Sequence, residues 1–446
     1  MDAVLLARLQ FALTVGFHFL FPPLTIGLAW LNTWLLWRYR ATGEDVYRQL
    51  GRFWLKLFAI TFAIGVATGI TMEFQFGMNW ASYSRFVGDI FGAPLAAEAI
   101  LAFFLESVFA GVLFFGWNRL SRGALWFASL MVAVGSTLSA FWIIVANSWM
   151  QTPAGFILRH GRAELTDFWA AVFNPSTLPR YLHTVDAALI AGAFFMLGIS
   201  AWFLLKDRHV DAARRSLTLA LVVAFLASVA ELGLGHYHAV QVAHTQPVKL
   251  AAFEGLFTTQ RQAPLLLFGL PDAQTKTVRY AVRIPAGLSL LVDFDNDANI
   301  KGLDEVAPSD WPPLLATFIP FHLMVLLGMY FIAFSGIGML LLWKKRAHGN
   351  RLFLTLAVWS IPLPLVAANV GWMAAEVGRQ PWIVQNVLRT SDAVSLTVPA
   401  GQILASILIF SAIYAVLLYT WVRLLSQTVM LGMEPAAPVV VEEVVA

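Results

Sequence analysis

The sequence predicts an all-α integral membrane protein with nine transmembrane helices. Of its 446 residues, 59% are hydrophobic and 12% are charged, proportions outside the range of soluble globular proteins. The hydrophobic residues form long runs, and basic residues are concentrated in alternate connections between them. Run length, composition and charge therefore indicate the same architecture, a helical bundle that spans a lipid membrane.

Nine runs are long enough to cross a membrane. A helix needs roughly 20 apolar residues to span a hydrocarbon core of about 30 Å. The runs lie at about 10–37, 53–77, 94–117, 124–149, 181–205, 216–235, 314–343, 352–373 and 397–422. Because these runs lack the regular polar alternation of membrane β-barrel strands, each one is predicted to be a helix.

The orientation follows from the basic residues, which are enriched in cytoplasmic loops. They cluster after the first, third, fifth and seventh runs: Arg38, Arg40, Arg48 and Arg52; Arg119 and Arg122; Lys206, Arg208, Arg214 and Arg215; Lys344, Lys345, Arg346 and Arg351. The N-terminus and the loops near 78–93, 150–180, 236–313 and 374–396 are therefore predicted to lie outside, and the C-terminus in the cytoplasm. The predicted parts are 1–235 with six helices, an outer loop at 236–313, 314–430 with three helices, and a cytoplasmic tail at 431–446.

Composition also excludes several kinds of site. The chain has no cysteine, which rules out disulfides, Cys-ligated zinc and iron–sulfur clusters bound by this chain. Any bound metal must be held by histidine, methionine or carboxylate. The formal net charge of +3 is small and spread over the loops, which argues against a nucleic-acid partner.

A few ionisable groups lie in or next to the predicted spans, where each costs several kcal/mol unless it is paired, liganded or hydrated. They are His18, Glu73, Glu98, Glu106, His183, Asp186, His322, Glu376 and Arg379. Counting about 1.5 Å per helical residue from the span ends places His18, Glu98, His183, Met324 and Glu376 in the outer half of the bundle. Imidazole, thioether and carboxylate are all axial ligands of haem iron, so this layer predicts several haems, with Arg379 available to pair with a propionate.

Each of these residues also has an ordinary structural interpretation. His18 or His183 alone could be hydrogen-bonded between helices, Met324 could be packing, and the Glu376–Arg379 pair could cap a helix end as an interfacial salt bridge. Glu73 and Asp186 are expected to be structural or water-facing, and Lys249 and Glu254, taken singly, are expected to be solvated loop charges.

Glu98 and Glu106 suggest a proton relay. They are eight residues apart, which in an α-helix is about 80° beyond two full turns and about 12 Å along the axis. The alternative is a pair of buried carboxyl groups that stay neutral and hydrogen-bonded.

The sequence resembles subunit I of the cytochrome bd quinol oxidases. The resemblance rests on five motifs, keeps their order and spacing, and covers nearly the whole chain. They are RLQFALTVGFHFLFPPLTIG at 8–27, FAIGVATGITMEFQFGMNW at 62–80, VGDIFGAPLAAEAILAFFLES at 87–107, KLAAFEG at 249–255 and GWMAAEVGRQPW at 371–382. The connection at 236–313 is of the family's short type.

The resemblance implies roles for individual residues. His183 and Met324 would ligate a low-spin b haem, and His18 and Glu376 would ligate a high-spin b haem and haem d, or a third b haem in its place. Which of the two binds haem d stays open. Glu98 would lie beside the dihaem centre, Glu106 on the proton path towards it, and Arg379 between the haems, with Trp372 filling the pocket. Lys249 and Glu254 match the quinol-binding positions.

The implied activity is quinol oxidation at the outer face and reduction of dioxygen to water with cytoplasmic protons, which generates a proton motive force. A second large subunit, a very small accessory subunit and a bacterial cytoplasmic (inner) membrane are implied with it. Two alternatives stay open: a haem-free proton-coupled transporter that uses Glu98, Glu106 and Asp186, and an electron-transfer subunit that does not reduce oxygen. His322 stands where some members have arginine, and Asp186 has no counterpart in the resemblance.

Overall fold

Helices account for most of residues 2–433, the part of the chain that the computed structural model describes. The predicted tail at 431–446 therefore lies largely outside the described residues. The helices are α1 Ala3–His18, α2 Pro22–Thr42, α3 Asp45–Met78, α4 Ala81–Ala97, α5 Phe104–Gly116, α6 Arg122–Gln151, α7 Phe168–Val172, α8 Thr177–Leu205, α9 Val210–Thr245, α10 Pro247–Glu254, α11 Gly287–Asp293, α12 Leu314–Trp343, α13 Arg351–Trp359, α14 Leu363–Val377 and α15 Ala400–Leu431. A π-helical segment, Glu98–Phe103, joins α4 to α5.

Four antiparallel strand pairs lie in the connections between these helices. They are β1 Phe156–Arg159 with β2 Arg162–Leu165, β3 Gln260–Arg261 with β6 Asn299–Ile300, β4 Leu265–Asp272 with β5 Thr277–Ile284, and β7 Trp382–Val384 with β8 Leu388–Arg389. Short 3-10 turns occur at Leu303–Glu305, Pro308–Asp310 and Thr390–Asp392.

Nine helical stretches in the described part of the chain are long and apolar enough to cross a membrane, which confirms the predicted number. Two of them are interrupted. The first comprises α1 and α2, and α2 begins at Pro22, where a proline is tolerated because the first N–H groups of a helix need no internal partner. The eighth comprises α13 and α14, with Pro362 at the junction. The first interruption leaves His18 at the end of a helix, where its ring can approach α3.

Two predicted boundaries are wrong. The loop expected at 78–93 is helical, because α4 begins at Ala81 and continues through the π-helical segment into α5. The sixth span continues to Thr245 and does not end near 235, so the outer connection begins only at Gln246. In both places polar or small residues end the apolar run, whereas the backbone stays helical because neighbouring helices continue to pack against it.

The centre of the bundle is built on α8, whose residues from Ala188 to Leu204 are almost all buried. It crosses α2 at Gly27 and Gly192, where the two backbones touch. A Cβ atom on Gly27 would lie 2.2 Å from the Ala188 carbonyl oxygen, so only glycine allows this approach. Two smaller apolar clusters flank this core, one of them around α10 and the connection that contains β4 and β5.

Candidate haem and quinol site

A buried charged cluster lies where α14 ends, next to α6 and α8. Glu376 Oε2 accepts a hydrogen bond from Arg379 Nη2 at 2.5 Å, and Glu376 Oε1 lies 3.6 Å from Arg180 Nη2. Asn147 Nδ2 donates to the same Oε1 at 3.0 Å. Only 4% of the Arg379 side chain is exposed. The salt bridge predicted from sequence is therefore present, but it lies inside the protein.

The cluster extends to the outer connection through Gln151. Its Nε2 donates to Glu376 Oε1 at 3.2 Å, and its Oε1 accepts a hydrogen bond from Lys249 Nζ. Lys249 also donates to Gln246 Oε1 at 2.8 Å. The helix α10, which carries Lys249, is thus connected to Glu376 by an unbroken chain of hydrogen bonds.

Positive charge exceeds negative charge in this cluster. In the described part of the chain, Arg180, Lys249 and Arg379 lie around one carboxylate, Glu376, and burial together with the two arginines holds the pKa of Lys249 well below its usual range. Arg379 Nε and Nη1 are buried without a hydrogen-bond partner. Buried donors of this kind are costly unless they are satisfied. The arrangement suits an additional anionic group with several acceptor oxygens.

His18 is held in one tautomer by α3. Its Nδ1 lies 2.9 Å from Thr68 Oγ1, and that hydroxyl directs its single proton to the carbonyl oxygens of Ile64 and Gly65 at 3.0 Å each. The hydroxyl therefore accepts from Nδ1–H, which leaves the lone pair of Nε2 available for a metal. Gly69 makes room for the ring, because a Cβ there would lie 3.2 Å from His18 Cε1.

Met324 lies on α12, and its side chain reaches α14. A Cβ on Gly371 would lie 2.5 Å from Met324 Sδ, so the thioether occupies space that only a glycine leaves open. Gly371 immediately precedes Trp372, which is half-buried on α14, one turn before Glu376. The motif GWMAAE thus connects the thioether position to the charged cluster along one helix.

His183 has acidic neighbours on α8 and α9. Its Nδ1 lies 2.8 Å from Glu231 Oε1, although the two groups are not aligned as a hydrogen bond. Asp186, one turn further along α8, lies close to Glu231. The His238 ring centroid is 5.4 Å from that of His183. A carboxylate beside Nδ1 favours the tautomer that exposes Nε2 as a ligand.

Glu98 and Glu106 both face α6. Ser139 Oγ donates to Glu98 Oε1 at 2.7 Å, and Ser136 Oγ donates to Glu106 Oε1. Regular α-helical geometry predicts an offset of about 80° between the two carboxylates. The π-helical segment Glu98–Phe103 has a wider turn, which reduces the rotation between them and presents both to the same neighbour.

Lys249 and Glu254 are buried at opposite ends of α10, with exposures of 3% and 4%. The expectation that they are solvated loop charges is therefore wrong. Burial raises the pKa of Glu254 to about 8, opposed only by a hydrogen bond from the backbone N–H of Leu266. The Leu266 carbonyl oxygen in turn lies 3.0 Å from His322 Nε2. His322 Nδ1 lies 3.0 Å from the Phe318 carbonyl oxygen. Both ring nitrogens of His322 are thus engaged by backbone.

A sequence model of the cytochrome bd terminal oxidase subunit I family matches residues 6–433. The chain belongs to this family. It is 39% identical over 427 residues to cytochrome bd ubiquinol oxidase subunit 1 of Bacillus subtilis (strain 168), covering 94% of this chain and 91% of the relative. It is 38% identical over 499 residues to cytochrome bd-II ubiquinol oxidase subunit 1 of Escherichia coli (strain K12), covering 97% of each.

The solved structure of bd oxidase from Geobacillus thermodenitrificans has the same fold. It superimposes with a TM-score of 0.90 at 31% identity, covering 97% of this chain and 99% of that chain. Members of the cytochrome bd subunit I family are haem proteins of the inner membrane that work with a subunit II, so the fold class and membrane location predicted from sequence are confirmed.

The side chains described above fit the haems that the cytochrome bd family implies. Among residues 2–433, no three histidine or acidic side chains come together as a site for a bare metal ion. Haem iron needs only one or two protein ligands, and His18, His183, Met324 and Glu376 lie on four different helices. Glu376 accepts two hydrogen bonds at Oε1 and one at Oε2, so Oε2 keeps a free lone pair. The unpartnered Arg379 donors suit a propionate.

Several residues of this candidate site were missed from sequence. Glu231 is an ionisable residue inside a predicted span, so the rule that selected the other candidates should have selected it. Arg180 lies three residues before His183 at a span entrance and resembles an ordinary interfacial arginine. Asn147 and Gln151 are neutral, and only their contacts with Glu376 distinguish them. Glu73, expected to be structural or water-facing, is exposed on α3.

Proposed function

We propose that the chain is the haem-carrying catalytic subunit of a terminal quinol:dioxygen oxidoreductase. The observation that carries this proposal is the buried hydrogen-bonded connection from Lys249 on α10 through Gln151 to Glu376 on α14. It links a position suited to quinol with one suited to haem iron. A second large subunit, a very small accessory subunit, quinol and dioxygen complete the proposed system. The relatives' names include both ubiquinol and menaquinol oxidases, so the quinol stays unspecified.

The haems, when bound, supply one-electron transfer and the reduction of dioxygen. His183 and Met324 would hold the low-spin b haem. His18 and Glu376 would hold a high-spin b haem and haem d, or a third b haem. Arg379 would neutralise a propionate, and Trp372 would line the haem pocket. The proposal is supported by the Nδ1–H tautomer of His18 and by the unpartnered Arg379 donors.

Quinol oxidation requires a base and a group that stabilises the developing anion. Glu254 is proposed as the base, because its raised pKa lies near the operating pH, where a carboxylate accepts and releases protons readily. Lys249 is proposed to donate a hydrogen bond from Nζ to the quinol oxygen. Its two amide partners, Gln151 and Gln246, hold Nζ in position.

The rate of quinol oxidation is expected to rise with pH until about pH 8. Glu254 must be ionised to accept a proton, and its ionised fraction increases about tenfold per pH unit below its pKa of about 8. The measurement is kcat/KM for a soluble quinol between pH 5.5 and 9. Glu254→Gln should lower the rate and flatten this pH profile, because the proposed base is lost. Lys249 is retained in this variant. A variant that keeps the same rising limb would show that another group is the base.

Protons for water are proposed to travel along the α5–α6 interface past Glu106 and then Glu98. Both carboxylates face serines three residues apart on α6, Ser136 and Ser139, which can pass a proton from one to the other. With the orientation predicted from the basic loops, this path begins on the cytoplasmic side, whereas quinol protons leave outside. Charge separation then follows from the positions of the two sites.

Removing Gln151 is expected to uncouple the quinol position from Glu376. Hydrogen bonds to charged groups contribute about 1.5–3 kcal/mol, so Gln151→Leu should lower kcat/KM for quinol by about tenfold or more. Gln385→Leu is the matched control, because Gln385 accepts a hydrogen bond from Gln246 at 3.1 Å and none of the hydrogen bonds described for Lys249 or Glu376 involves it. Equal effects of the two substitutions would argue against the connection.

The alternative of a haem-free proton-coupled transporter is tested directly by a spectrum. The purified complex is expected to show reduced-minus-oxidised haem bands and to consume oxygen when given reduced quinol. A colourless complex from cells that make haem would favour the transporter. Haem bands without oxygen consumption would favour an electron-transfer subunit.

A further inference from the structure

The β4–β5 hairpin carries an exposed apolar surface in a connection that is expected to be polar. Leu267, Phe268, Tyr280, Val282 and Ile284 are all exposed, by 44% to 77%. We call these five residues the outward side. Exposed apolar side chains grouped in one short hairpin are costly in water and usually mark a binding surface for protein or lipid.

The opposite side of the hairpin is packed on the bundle. Leu266 is 6% exposed and, like Val278 and Phe318, touches the position a Gly255 side chain would occupy. The Leu266 carbonyl lies 3.0 Å from His322 Nε2 on α12. The hairpin is therefore fixed against α12. Its depth relative to the membrane can be estimated by counting residues along that helix.

The count of residues along α12 places the hairpin at the edge of the membrane. Lys344, Lys345 and Arg346 directly follow α12, and exposed Trp343 marks the same boundary. About 20 helical residues cover the hydrocarbon core of about 30 Å, so the other boundary falls near residue 323. His322 and its contact with Leu266 lie at this level. The neighbouring Leu267 and Phe268 then face the lipid headgroup and upper acyl region.

A bulge in β5 turns an aromatic ring outward at this level. Phe268 pairs with Val282 and Leu270 with Arg279, so Tyr280 and Ala281 lie opposite the single residue Gly269. Tyr280 has φ of 54°, a conformation that is unusual for a tyrosine, and it is 77% exposed. Tyrosine is enriched at membrane–water interfaces, where its ring meets lipid and its hydroxyl meets water.

Charge on the hairpin is complementary to lipid phosphate. Residues 265–284 contain Lys276, Arg279 and Arg283 against one carboxylate, Asp272, which pairs with Arg279 at 2.5 Å. Leu315 and Ile319 are also exposed, on the face of α12 that carries His322. Depth, charge and these neighbouring apolar side chains favour lipid over a second protein as the partner.

We infer that the β4–β5 hairpin is a membrane-interface element whose outward side inserts into the lipid leaflet beside α12. The hairpin covers Glu254 through Leu266, so this position keeps the proposed quinol site at the level of the bilayer. Lipid contact by the outward side does not require that Glu254 act as a base.

Spin labels can measure this contact, because the chain contains no cysteine and each introduced one is unique within it. The complex is prepared with Phe268→Cys or Val282→Cys, and with Lys301→Cys as the control, which is exposed in the same connection. Each is labelled with a nitroxide in lipid nanodiscs. Collision rates are compared for oxygen, which concentrates in lipid, and a water-soluble nickel chelate. The unmodified complex treated identically gives the background.

Labels at 268 and 282 are expected to collide several-fold more with oxygen relative to nickel than the label at 301. An unchanged haem spectrum confirms that each variant is folded. Ratios equal to the control would show that the outward side is in water. Low collision rates with both reagents would show that a protein, either the second subunit or another copy of this chain, covers it. Either result would overturn the inference.

Discussion

Glu376→Ala is expected to reduce oxygen consumption by about 100-fold or more, equivalent to about 3 kcal/mol of transition-state stabilisation. Among residues 2–433, Glu376 is the only carboxylate that pairs with both Arg379 and Arg180, and it is connected to Lys249 through Gln151. Its removal leaves buried positive charges uncompensated, which typically costs 3–5 kcal/mol, and also removes a proposed iron ligand. The measurement is quinol-driven oxygen uptake by the purified complex, together with its visible spectrum and thermal unfolding.

Two further variants separate the causes of this loss. Glu376→Gln keeps the shape and can still hydrogen-bond, so it should assemble better than the alanine variant while remaining inactive. Asp211→Ala removes an exposed carboxylate that pairs with Arg215 at 3.2 Å and should change neither property, because exposed pairs contribute little. Normal oxygen uptake by Glu376→Gln would exclude a catalytic role for the carboxylate charge.

Met324→Leu is expected to remove the low-spin component from the reduced-minus-oxidised spectrum. Leucine has nearly the same volume but no sulfur, so packing between α12 and α14 is retained while the proposed axial ligand is lost. Electron entry from quinol should fall with it. Met329→Leu is the matched control, because Met329 lies on the same helix with 52% of its side chain exposed. An unchanged spectrum in Met324→Leu would refute the ligand assignment.

Gly371→Ala tests the same ligand without altering it. The added Cβ would lie 2.5 Å from Met324 Sδ, so the thioether must move away from its position. We expect a weakened or shifted low-spin band. Gly328→Ala on α12 is the control, since its Cβ would meet nothing within 4 Å. A normal band in Gly371→Ala would indicate that Met324 binds from another direction.

The membrane fold was predictable in outline but not at its interruptions. Hydrophobic runs determined the number of spans, because each span has to bury its backbone hydrogen bonds within itself. The same runs did not show that α4 replaces the loop predicted at 78–93 or that α9 continues to Thr245. Hydropathy indicates which segments contact lipid. A helical segment that extends beyond the hydrocarbon core or packs on polar partners need not be apolar, so hydropathy does not detect it.

The candidate site, like the fold, was predictable only in part. The charged and ligand residues were selected individually because ionisable groups in an apolar environment are costly. Their partners were not predictable: Gln151 and Asn147 are ordinary neutral residues until α6 places them beside Glu376. Likewise, α-helical spacing placed Glu98 and Glu106 only loosely on one side of the helix, and the π-helical segment presents both to α6.

By itself, the amino-acid sequence determined the class of protein and the number of membrane spans, and it predicted which side chains could ligate haem. These properties depend on composition and local order, which a linear chain already contains. Tertiary structure alone decided that Lys249 and Glu254 are buried, that one network joins α10 to α14, and that the β4–β5 hairpin lies against α12. Burial and hydrogen bonding between distant segments depend on how helices pack, and no local pattern records that packing.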